Sequence, residues 1–317
     1  LHSVGHSFPT RRSSDLLNPI SEIGWDDVLE DAKKAHIPVI LVNNGVDTDD
    51  SSLYSCMLGS DYGKQMKKAG KWLDEYLKEE EEKKAEKEKA ASEAPTQEES
   101  EQTDSEDTEV NTDSSKATDS SASIFDKIMK SSSTAKDEAD LTEEEQTEED
   151  ITIKIAAIQE SIGSEEQLMR AQGYQTMLER YSDWEMVAQQ TGDNSREEAE
   201  KVMKLFLEQE PDLRVVFAES DEMALGAIDA IGKSGKTCGE DGDIIVISFG
   251  GSKAGIEAVK DGKLNVTFEC NPGQGPKAAE LIQRLESDIS IDKEQYVEET
   301  YFDGTMDLDE IIENRTY

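Results

Sequence analysis

The sequence predicts a two-lobed α/β protein, its parallel sheets flanked by helices and interrupted by a long, disordered acidic insertion. Three observations carry that prediction. Short apolar runs alternate with amphipathic helical segments on both sides of the insertion, in the rhythm of βαβ units with right-handed crossovers. The runs are continuous rather than alternating in polarity, as strands covered on both faces are. Between the two patterned regions, residues 79–150 carry 26 acidic and 8 basic side chains and a single aromatic, Phe125.

Taken in order, residues 17–78 read as part of a first lobe. Residues 25–35 place Trp25, Val28, Leu29 and Ala32 on one helical face, and residues 37–42 form a buried strand. Residues 53–59 read as a weaker strand, and residues 61–77 as a helix with Met66, Ala69, Leu73 and Leu77 on its apolar stripe. The acidic stretch 79–150 buries too little apolar surface to offset its ordering entropy and is predicted to be disordered. Within it, residues 124–129 read either as a docking motif or as an incidental apolar cluster.

After Asp150 the alternation resumes, with strands predicted at 151–158, 184–189, 213–218, 244–249, 265–269 and 295–301. Helices are predicted at 165–181, 196–208, 222–233, 253–260 and 275–286. Residues 151–272 read as the second lobe and 273–317 as a C-terminal segment partly returning to the first. Residues 1–16 have no hydrophobic period and join abruptly onto Leu17, so they read either as translated non-coding sequence or as a disordered leader, in both cases outside the fold.

The formal net charge is −40, from 73 acidic and 33 basic residues, and mean hydropathy is −0.71. That balance argues against nucleic acid and against anionic membranes as partners, because both are bound through Lys and Arg. Solubility is the plain reading of the charge. Cys56, Cys238 and Cys270 form no CxxC pair, which suggests neither zinc nor a disulfide framework. His2, His6 and His36 offer no metal or general-base site, so neither metal nor cofactor is expected. No apolar run reaches the roughly 18 residues of a membrane span, and residues 1–16 lack the apolar core of an export signal.

In open α/β sheets, ligands sit beyond the carboxyl ends of the strands. The residues there are 18–22, Asn43, Asn44, Gln159, Glu160, 191–194, Glu219, Ser220, Asp221, Gly250, Gly251, Glu269, Cys270 and Asn271. Most are amides, carboxylates, hydroxyls or glycines, and planar polar groups can each meet two vicinal hydroxyls of a sugar. Polar strand-end loops are also general in this fold class, so only the set is informative.

As a set these segments resemble the type I periplasmic solute-binding proteins of sugar ABC transporters, in their galactofuranose-, ribose- and galactose-type branch. The resemblance is carried by Pro19-Ile20-Ser21-Glu22-Ile23-Gly24-Trp25, by Ile37-Pro38-Val39-Ile40-Leu41-Val42-Asn43-Asn44 and by Arg170-Ala171-Gln172-Gly173-Tyr174. Gln190-Thr191-Gly192-Asp193, Asp221-Glu222-Met223-Ala224-Leu225-Gly226-Ala227 and residues 262–272 complete it.

The resemblance implies the type I periplasmic-binding fold, in which two lobes joined by crossing strands close on a ligand. It further implies a monomer that captures a monosaccharide without catalysis and delivers it to an ABC transporter permease. The place of action would be extracytoplasmic, either periplasmic or lipid-anchored at the outer face of the membrane. The chain is also expected to begin after the family's first strand and helix. The implied ligand-binding residues are Glu22, Trp25, Asn43, Asn44, Arg170, Asn194, Ser220, Asp221, Gly250, Glu269 and Asn271. Asn43 and Asn44 stand where the family has Asp-Arg, Ser220 where it has Asn, Asn194 where it has an aromatic, and Gly250 where it has Asp. Glu269 and Asn271 match the galactofuranose-like branch. For Trp25 both sugar stacking and core packing stay open, and for Arg170 both ligand contact and a surface ion pair.

Other functions for the same fold are the effector half of a LacI-type regulator and a sensor that presents its ligand to a membrane receptor. A carboxylate pair drawn from Glu22, Glu219, Asp221 and Glu269 would suit a glycosidase, but no independent motif supports an enzyme.

Overall fold

The apolar runs become strands and the amphipathic segments become helices in the computed structural model, which describes residues 14–19, 22–92 and 152–317. Four parallel strands make the first sheet, in the order β1 (Asp15–Leu17), β2 (Val39–Val42), β3 (Cys56–Gly59) and β9 (Glu294–Tyr296). Side chains alternate across a strand, so β2 sends Val39 and Leu41 to one face and Ile40 to the other. Leu29 of α1 (Asp26–Lys34) and Leu53 cover the first face. Ala278 and Leu281 of α7 (Gly275–Glu286) cover the second. Cover on both faces is why this run is apolar throughout.

The second sheet has six strands, in the order β10 (Tyr301–Asp303), β8 (Val266–Glu269), β7 (Ile245–Gly250), β6 (Val215–Ala218), β4 (Ile153–Gln159) and β5 (Trp184–Thr191). All run parallel except β10, which is antiparallel to β8. On one face α2 (Tyr62–Ser92) and α3 (Glu165–Arg180) bring Met66, Leu73, Tyr174 and Met177 onto Ile155, Phe217, Ile247 and Phe268. The other face is covered by α4 (Arg196–Gln209), α5 (Asp221–Ser234), α6 (Lys253–Lys260) and α8 (Leu308–Asn314), with Phe206, Met223, Ile256 and Leu308 packed on Ile158 and Val246. Each large side chain so buried is worth about 1.5–3 kcal/mol.

The helices of this second half start where the strands end. Ser164, Ser195, Ser220 and Ser252 cap α3, α4, α5 and α6, each hydroxyl accepting from the backbone N–H three residues on. Those four caps hold the loops at the carboxyl edge of the sheet in place.

Several boundaries differ from the sequence reading. Asp15 and Leu16, set apart with the leader, lie in β1 and pair with Val39 and Ile40. The helix predicted to end at residue 77 continues to Ser92, and buried Glu80 pairs with Arg214, so packed structure passes the boundary drawn at residue 78. Residues 93–150, including the segment 124–129, lie outside the described residues. The weak strand at 53–59 is a 3-10 turn at Ser51–Leu53 followed by β3. The single strand predicted at 295–301 is two strands, β9 in the first sheet and β10 in the second. Helix α8 has no counterpart in the sequence reading.

That split marks a crossing between sheets. The chain passes from one to the other at residues 60–61, 270–274 and 297–300. Glu299 joins all three crossings. Its carboxylate accepts from Ser60 Oγ at 2.6 Å, from Gln65 Nε2 at 2.8 Å and from the Asn271 backbone N–H at 2.9 Å.

Candidate functional site

Arg170 is the organising residue of the carboxyl edge. It stands on α3 with only 2% of its surface exposed, because Gly173 one turn later lets α3 approach α2. A Cβ at Gly173 would lie 2.5 Å from the Met66 side chain. The guanidinium carbon is 4.9 Å from the ring centre of Tyr62 at the start of α2, and 4.8 Å from that of Phe249 on β7. Two ring faces therefore offset part of the cost of burying the charge. One amino group reaches Cys270 Sγ at 3.6 Å, while Nε and Nη1 have no partner among the described residues.

Two carboxylates complete this cluster. Glu219, at the end of β6, is 1% exposed; its Oε2 accepts the Glu160 backbone N–H at 2.9 Å, and the buried Tyr174 hydroxyl acts on the same carboxylate as a hydrogen-bond donor. Glu160, at the end of β4, accepts from Asn194 Nδ2 at 2.6 Å. The parallel register sets Gln159 beside Thr191 and Ile158 beside Ala218, which brings these three strand ends together. Burial pushes both carboxyls up to about 7, Arg170 opposing the shift in each; Glu166 adds to it in both, and Glu219 adds to that of Glu160. Burial likewise lifts the Cys270 thiol to about 11.

The other predicted residues fall into separate groups. Asp221, at the first turn of α5, accepts from Ser248 Oγ at 2.6 Å, Thr267 Oγ1 at 2.7 Å and the Ser252 N–H at 2.7 Å. Its carboxylate thereby ties β7, β8 and α6 together. Gly250, with φ of 146°, passes so close that a Cβ there would lie 2.6 Å from Asp221 Oδ2. Ser220 is engaged as the α5 cap. Glu269 accepts from Arg315 Nη1 and Tyr317 OH, both at 2.8 Å, and from the Thr300 N–H at 3.2 Å.

In the first sheet, Asn43 accepts from Gln274 Nε2, and Asn44 Nδ2 donates to the Pro19 carbonyl at 3.1 Å. Asn271 Oδ1 accepts from the Gly273 N–H at 2.7 Å. Trp25 packs on the cluster of Leu29, Val39 and Leu41, so its ring has a core environment. Glu22 is exposed and lines a cavity of about 460 Å³ with Gly45, Met57, Glu165 and Lys293. At its edge the Gly45 N–H donates to Glu165 Oε2 at 2.9 Å, which joins the loop after β2 to the first turn of α3.

The structure thus brings Arg170 and Asn194 into one cluster with Glu160 and Glu219, which were visible only as strand-end residues. It adds Tyr62 and Phe249, for which the local sequence carried no functional signal. Among the described residues no group of three or more His, Cys, Asp or Glu is placed to hold a metal, and the three cysteines are free thiols.

Residues 16–288 match the family described as periplasmic binding protein domain. The chain belongs to that family. It is 35% identical over 133 residues to the ribose import binding protein of Salmonella typhimurium, a match covering 42% of this chain and 43% of that protein. It is 22% identical over 276 residues to the galactofuranose-binding protein of Escherichia coli, covering 86% of this chain and 64% of that one. The chain thus matches less than half the length of the ribose import relative. Among solved structures, the periplasmic binding protein component of the arabinose ABC transporter from Shewanella sp. ANA-3 superposes with a TM-score of 0.66 at 23% identity, covering 96% of this chain and 77% of that chain. At that identity the likeness shows the fold: the type I periplasmic binding arrangement of two parallel sheets flanked by helices. Membership of the periplasmic binding family implies a place outside the cytoplasm.

Proposed function

We propose that this periplasmic binding domain captures a small polar ligand, a monosaccharide, between its two lobes and delivers it to an ABC transporter permease without chemical change. One observation carries the reading. Arg170, almost wholly buried, keeps two donor nitrogens, Nε and Nη1, unpartnered beside the carboxylates of Glu160 and Glu219. Buried polar groups without partners are costly, and sugar hydroxyls can accept from both nitrogens. The relatives support the same reading, since they are import binding proteins for ribose and a binding protein for galactofuranose.

On this reading Arg170, Glu160, Glu219 and Asn194 hold the ligand from the second lobe, with Asn43, Asn44 and Glu22 at the first and Trp25 packed in its core. Ser220, Asp221, Gly250, Glu269 and Asn271 then shape the edge of the pocket. The first lobe is then made by residues 15–59 and 275–296 and the second by residues 62–92, 153–269 and 301–314, and the protein works as a monomer in the periplasm or on a lipid anchor. The test is a thermal-shift screen followed by calorimetry with D-ribose, D-galactose, L-arabinose and D-glucose. A saturable rise in Tm with at least one of them, lost on Arg170→Ala, is the expected result. A flat screen overturns the proposal.

A further inference from the structure

The charges around Arg170 do not balance. Glu160 and Glu219 are buried against this one guanidinium, and Glu166, which accepts from Tyr62 OH at 2.8 Å, acts electrostatically on both. The other titratable groups against Arg170 are Tyr62, Tyr174 and Cys270. Burial raises the pKa of all three, so they stay neutral.

We propose that the ligand of this pocket carries a cationic nitrogen beside its hydroxyls, as an amino sugar does. The inference rests on the sugar reading above and narrows it. A neutral hydroxyl satisfies the free nitrogens of Arg170, yet it leaves two buried carboxylates, Glu160 and Glu219, against one guanidinium. An ammonium provides up to three donors in place of one and also supplies the missing positive charge. A hydroxyl of the same ligand then serves Arg170, which keeps the two cations apart.

Without such a ligand, the alternative compensating charge is a proton. Burial together with the neighbouring carboxylates pushes Glu160 and Glu219 up to about 7, so at neutral pH the pair holds protons that an incoming ammonium displaces to solvent. The formal charge of −40 on the whole chain acts in the same direction at longer range, since it raises the local concentration of cations over neutral solutes.

The test compares matched pairs by calorimetry on the whole 317-residue chain at pH 7.0: D-galactosamine with D-galactose, and D-glucosamine with D-glucose. At least one amino sugar is expected to bind ten times more tightly than its neutral parent, with net proton release read from buffers of different ionisation enthalpy. Glu219→Gln is expected to reduce that ratio to threefold or less, and Glu160→Gln provides the same reading should the first variant fail to fold. Neutral parents that bind as tightly as their amino partners, or a ratio untouched by both variants, overturn the inference while the sugar reading stands. If neither kind of sugar binds, the sugar reading falls and the inference falls with it.

Discussion

Ser60 and Glu299 are joined by a 2.6 Å hydrogen bond, hydroxyl to carboxylate, across 239 positions of sequence. Ser60 lies on the first crossing between the sheets and Glu299 on the third. The same carboxylate holds Gln65 and the backbone of Asn271 on the second. Three donors on one carboxylate make a junction that any change in lobe orientation must strain. Hydrogen bonds to charged groups contribute about 1.5–3 kcal/mol each, less where they are partly solvated. Glu299→Gln turns one acceptor into a donor facing Gln65 and is expected to cost about 1.5–3 kcal/mol. Denaturant unfolding measures that loss. Small-angle scattering without ligand should then show a broader distribution of lobe separations than in the parent chain.

Asp221 is expected to act mainly through stability. Ser248, Thr267 and the Ser252 backbone already engage both of its oxygens, and the residue is 5% exposed. Asp221→Asn places an amide N–H where a donor now points, leaving a buried group unsatisfied. A loss of about 2–4 kcal/mol follows from that desolvation and the lost charge. At roughly 2–4 °C per kcal/mol for domains of this size, the drop in Tm is large enough for ordinary calorimetry. Ligand affinity measured well below that Tm should change less than it does for substitutions at Arg170.

Burial gives stability a definite pH dependence. Glu160 and Glu219 are raised in the folded protein to about 7 from an ordinary value of 4.5. Between those values the folded chain binds more protons than the unfolded one, so stability falls as pH rises through that window and levels off above about 7. A shift of that size corresponds to about 3 kcal/mol per group at most. Other carboxylates contribute to the total profile, so the informative quantity is a difference. Tm of the parent chain minus that of Glu219→Gln, measured from pH 5 to pH 8, should decline with pH and flatten above pH 7. A difference independent of pH would show that Glu219 titrates normally.

What could be read from sequence divides by distance along the chain. Helices α6 and α7 begin and end where the sequence places them, since an apolar stripe with a Ser252 cap or a Gly-Pro start is local information. The strand cores of the second sheet were equally legible, being runs covered on both faces. The segment 295–301 was not, because an apolar pattern cannot tell which sheet a strand joins, and β9 and β10 join different ones. Helix α8 is seven residues long, too short for its period to show. Its absence hid the partner of Glu269, since Arg315 is held just beyond that helix. Arg170 was found through a local motif. Tyr62 and Phe249, which flank it, come from α2 and β7, and only the fold brings them together.

Replacing Arg170 by Lys separates charge from shape. The lysine ammonium is a compact charge with no planar face, so it forfeits the stacking on Tyr62 and Phe249 at 4.9 and 4.8 Å. It also presents its donors from one point, whereas the two free nitrogens of Arg170 lie on adjacent sides of a rigid plane. Each ring contact is worth about 0.5–2 kcal/mol, and the stability lost with them is partly regained because fewer buried donors are left unsatisfied. Tm of Arg170→Lys is therefore expected within a few degrees of the parent. Affinity for the sugar that binds the parent most tightly should fall at least tenfold, because a single donor site cannot replace two. Calorimetric titration of both proteins under one buffer condition measures the ratio. Unchanged affinity would place the ligand elsewhere on the carboxyl edge, with the cavity lined by Glu22 and Glu165 the next position to probe by substitution.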